Sequence, residues 1–64
     1  MNLKQIIHTS IQNQHLDNLD LLTDYTHQHM TQTQNYNEDE TWPKNEDFQQ
    51  ALEIAKTHIY AIHK

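Results

Sequence analysis

The chain has 64 residues and a net charge of −5, from nine acidic residues against four Lys, with no Arg. A chain of this length forms one domain and buries only about 60% of its unfolded surface, and without Cys it has neither disulfides nor thiolate metal sites to support it. The acidic balance argues against direct nucleic-acid binding, and the absence of Gly removes most phosphate-cradling loops and nucleophile elbows.

The first element is a helix over about 2–12. Leu3, Ile6, Ile7 and Ile11 repeat at helical spacing, with Gln5, Thr9 and Gln12 opposite. A break is expected near Asn13–His15, with a single curved helix over 3–33 as the alternative, since no Gly or Pro forces the break. If one straight helix ran on, the apolar stripe of residues 16–30 would be rotated by about 90° from that of residues 3–11, and both could not face one core. Met1–Ile11 lacks the apolar run of a signal peptide, and no stretch approaches the ~18 apolar residues of a membrane span. The expected setting is therefore cytoplasmic.

The second helix is expected over 17–31, with Asp17 as N-cap and Asp20 in the position of a capping box. Leu16, Leu19, Leu22 and Met30 share one side, and Leu21 and Tyr25 widen the apolar arc to about 220° of the wheel. The remaining arc carries Asp17, Asp20, Asp24 and His27. Two short neighbours cannot cover so wide an arc, so Leu21 and Tyr25 are expected at the surface, where they suit a homodimer contact.

Residues 32–42 lack periodicity and form a polar, acidic loop holding Tyr36, Glu38, Asp39, Glu40 and Trp42. A connection this long in so small a domain is expected to be functional or mobile. The third helix is expected over 46–63, with Asn45 as N-cap after Pro43. Phe48, Ala51, Leu52, Ala55, Ile59 and Ile62 form a core stripe about 100° wide. Glu46 and Asp47 at its start, and Lys56, His58, His63 and Lys64 towards its end, suit the helix dipole. This helix is expected to be the element around which the others pack. The fold class is all-α, a single three-helix domain.

The chemistry-bearing residues are sparse. Six His suggest a metal, yet His27 and His29 are two apart and point to different sides of a helix. Asp20, Asp24 and His27 share a face and would supply two oxygens and an imidazole, which gives a second reading, a His/Asp metal-binding regulator. A solvated acidic stripe is the better account, so no metal and no cofactor are expected. Catalysis needs a water-excluding groove with convergent polar groups, which three short helices do not build, so no enzyme is expected.

What remains is binding. Carboxylates spaced along a helix and in a loop can meet basic protein surface in place of phosphates. The candidate partner-binding residues are Asp17, Asp20, Asp24, Tyr36, Glu38, Asp39, Glu40 and Trp42, with the two aromatics as anchors. The leading expectation is a small acidic protein that inhibits a basic, nucleic-acid-handling partner stoichiometrically. By size and character this is the manner of phage anti-defence proteins of the anti-CRISPR kind, an analogy of class with no motif behind it. A third reading is a helical dimer that serves as a subunit of a larger assembly.

Overall fold

A computed structural model describes residues 2–39 and 42–61. It contains three helices, α1 (Leu3–Gln12), α2 (Leu19–Gln32) and α3 (Asn45–Ala61), and no strand among the described residues. The all-α three-helix architecture is as expected from the apolar periodicities. No described helix is long and apolar enough to cross a membrane.

Each helix buries the stripe that its spacing marked. Leu3, Ile6, Ile7 and Ile11 of α1, Leu22 and Met30 of α2, and Phe48, Ala51, Leu52, Ala55 and Ile59 of α3 are buried. Leu16, Leu19 and Tyr36 close over them as partly buried neighbours. Ile62, His63 and Lys64 lie outside the described residues.

The organising helix is α2, which corrects the expectation for α3. Both α1 and α3 pack along α2, and they touch each other only weakly. The wide arc of α2 is the reason, because it offers one flank to each neighbour. The two helix pairs are antiparallel. Lys4 reaches Asp24 and His8 approaches Asp20 across α1 and α2, while Tyr25 meets His58 and Gln34 meets Asp47 along α2 and α3.

Helix boundaries follow local chemistry. Asn2 caps α1, its Oδ1 accepting the Gln5 N–H at 2.9 Å. The break falls where expected: Gln14 and His15 donate to the Ile11 and Gln12 carbonyls, and His15 then turns left-handed with φ of 56°. The start of α2 is later than expected. Asn18 is the cap residue, itself left-handed with φ of 59°, and its side chain makes no cap bond. Asp17 lies one residue outside, with its carbonyl accepting the Tyr60 hydroxyl at 3.2 Å. Asp20 is 97% exposed at its side chain and closes no capping box. At α3, Asn45 is the first helical residue rather than the cap, and the Lys44 carbonyl accepts the Phe48 N–H. Without Gly, the left-handed positions fall to Asn18, Asn35 and His15, residue types that tolerate that region best after Gly.

Candidate interaction surfaces

The acidic stripe of α2 is largely answered by α1. Lys4 Nζ lies 3.0 Å from Asp24 Oδ1, and His8 Nε2 lies 4.0 Å from Asp20 Oδ1. Both pairs stand in solvent, where such contacts contribute about 0–1 kcal/mol. His27 turns away from the stripe to Glu38, with its Nε2 at 3.0 Å from Oε1 and 3.1 Å from Oε2. Asp20, Asp24 and His27 are thus directed to three different partners. Among the described residues no three His, Asp or Glu side chains gather where a metal ion would sit. Asp17 stays exposed just before the helix.

The connection 33–44 is tied down along its first half. Asn35 is left-handed and brings the Tyr36 N–H to the Met30 carbonyl at 3.1 Å. The Tyr36 hydroxyl donates to Asp47 Oδ2 at 2.6 Å and accepts the Lys44 N–H at 3.0 Å, and Gln34 Nε2 donates to the Asp47 carbonyl at 3.1 Å. Tyr36 therefore sits half-buried on the core and holds the first turn of α3. The Glu38 carbonyl accepts the Leu3 N–H at 3.1 Å, a donor that a helix start leaves without an intrahelical partner. This strap so joins the ends of all three helices, and both the carbonyl and the carboxylate of Glu38 are engaged within the chain. Asp39 is exposed; Glu40 lies outside the described residues.

Trp42 is placed quite differently. It is 79% exposed and flanks a shallow groove with Ile6, Ser10, Pro43, Asn45 and Phe48, where α1 and the start of α3 come together. Phe48, on the same groove, is buried.

No protein-family model, curated protein or solved structure matches this chain.

A second surface lies on the far side, along the seam between α2 and α3. Leu21 is 50% exposed and Tyr25 42%, in line with the wide arc of α2. The Tyr25 ring stacks on that of His58, with centroids 5.9 Å apart and planes within 10°. Gln28, Gln32 and Ile54 continue the seam. Sequence reasoning assigned no role to His58 beyond the helix dipole, because its pairing with Tyr25 depends on how α3 lies against α2. The arrangement as a whole offers contact chemistry: one exposed indole, carboxylates with and without partners, and one seam of mixed polar and apolar groups without Asp, Glu or Lys in its lining.

Proposed function

We propose that this chain is a small non-enzymatic protein-binding module that docks through Trp42 and the carboxylates beside it. The observation that carries this reading is the exposure of Trp42. A Trp left in water forgoes one of the largest burial gains that a side chain has, and Trp is the residue most enriched at binding hot spots. The groove with Ile6 and Phe48 provides an apolar wall beside it. Asp39 and Glu40 precede it in the chain, and the net charge of −5 favours encounter with a basic protein surface. Such a module would act stoichiometrically, and a partner that handles nucleic acid offers the surface that carboxylates fit best. The structure shifts the emphasis within the acids, since Asp20, Asp24 and Glu38 already have partners in the chain.

The test is site-directed photo-crosslinking in living cells, with the probe at position 42 or at the exposed Gln28 of α2, which lines none of the groove beside Trp42. A discrete adduct with a basic protein from position 42 alone is expected. With that protein purified, Trp42→Ala should raise the off-rate, while Asp39→Asn with Glu40→Gln should lower the on-rate, and more so at low salt. No adduct, or the same adducts from both positions, would sink the proposal.

A further inference from the structure

We infer that the outward seam of α2 and α3 joins two copies of this chain in a weak, symmetric dimer. This goes beyond the docking reading, which uses the opposite side of the molecule. The seam is lined among others by Tyr25, Gln28, Gln32, Ile54 and His58, with Leu21 one turn before Tyr25 on α2. Among the described residues that line it there is no Asp, Glu or Lys, and its titratable side chains are Tyr25, His29 and His58. In a chain with 13 charged residues, that gap says which occupant fits. A basic partner gains no Coulomb energy there, and the field of the acidic side draws such a partner elsewhere. A second copy, carrying −5 itself, meets least repulsion where the lining holds no carboxylate.

The groups on the seam are also self-complementary. Leu21 and Ile54 pair with apolar groups like themselves. The Gln28 and Gln32 amides both donate and accept, so each can bond its own counterpart. An isologous interface requires this property, because across a two-fold axis each patch meets itself. The Tyr25–His58 stack presents a flat, already ordered surface near the middle, which lowers the entropy lost on pairing. The repulsion between two negatively charged copies gives the dimer an identifying trait. Salt screens that repulsion, so the dimer tightens as salt rises, opposite in sign to docking on a basic partner.

Sedimentation velocity over a wide concentration range, at low and at high salt, tests this on the full chain. The wild type is expected to shift from monomer to dimer with concentration, at lower concentration when salt is high. Leu21→Glu and Gln28→Glu each place a carboxylate at an exposed helix position, twice per dimer, and should weaken association on the order of tenfold or more. Both should keep their helical circular dichroism and melting temperature when dilute. A protein that stays monomeric throughout would overturn the inference. So would a dimer that ignores both substitutions, one that loosens in salt, or one abolished by Trp42→Ala instead.

Discussion

At the scale of single residues, the two aromatics of the acidic connection divide the work. Tyr36 and Trp42 look alike in the sequence, each an aromatic in a polar stretch. Tyr36 spends its hydroxyl on Asp47 and Lys44, whereas Trp42 stands in water. Tyr36→Phe keeps the ring and deletes both hydrogen bonds, one of them to a carboxylate. It should cost about 1–3 kcal/mol in chemical denaturation, whereas Trp42→Ala, away from the core, should stay within about 0.5 kcal/mol of wild type. Equal costs for the two substitutions would mean that Tyr36 does not hold the start of α3. Polar side chains towards the core behave unevenly as well. Thr23 is satisfied by the Leu19 carbonyl at 2.8 Å, while the fully buried Thr26 hydroxyl has no partner within the protein.

At the scale of elements, the helix ends decide where each apolar stripe faces. The break between α1 and α2 exists because one straight helix would misdirect half of its apolar residues, and the chain makes the turn without Gly. His15 takes a left-handed conformation that costs an ordinary residue about 1–2 kcal/mol. It is exposed, so its side chain gives up little when replaced. His15→Gly should therefore stabilise the protein by up to about 1 kcal/mol, after the greater unfolded-state freedom of Gly is deducted. A lowered melting temperature would show that the His15 side chain makes contacts that outweigh its backbone cost.

At the scale of the whole molecule, one small core is shared by three helices and a strap. Leu52 is fully buried within it. Leu52→Ala removes packing worth about 2–5 kcal/mol, a large part of what so small a domain has. Loss of the cooperative thermal transition is expected by circular dichroism, and a variant that melts within a degree or two of wild type would contradict the core as described. The strap matters at this scale because Glu38 touches α1 through its carbonyl and α2 through its carboxylate.

The sequence by itself determined the helices and their buried faces, because a 3.6-residue apolar period is a local property that any core must honour. It placed the break after α1 for the same reason, and it left Leu21 and Tyr25 outside because their arc exceeded what two neighbours could cover. Cap positions were less legible: Asp17 and Asn45 are good capping types, yet contacts from Tyr60 and Tyr36 set the true boundaries. Only the tertiary structure decided that α2 is the central helix, that Asp20 and Asp24 face His8 and Lys4, and that Tyr36 turns inward while Trp42 does not. Those outcomes depend on pairs of residues eight or more positions apart, up to the 43 that separate Asp17 from Tyr60. Periodicity within one helix carries no information about such pairs; the crossing of the helices creates them.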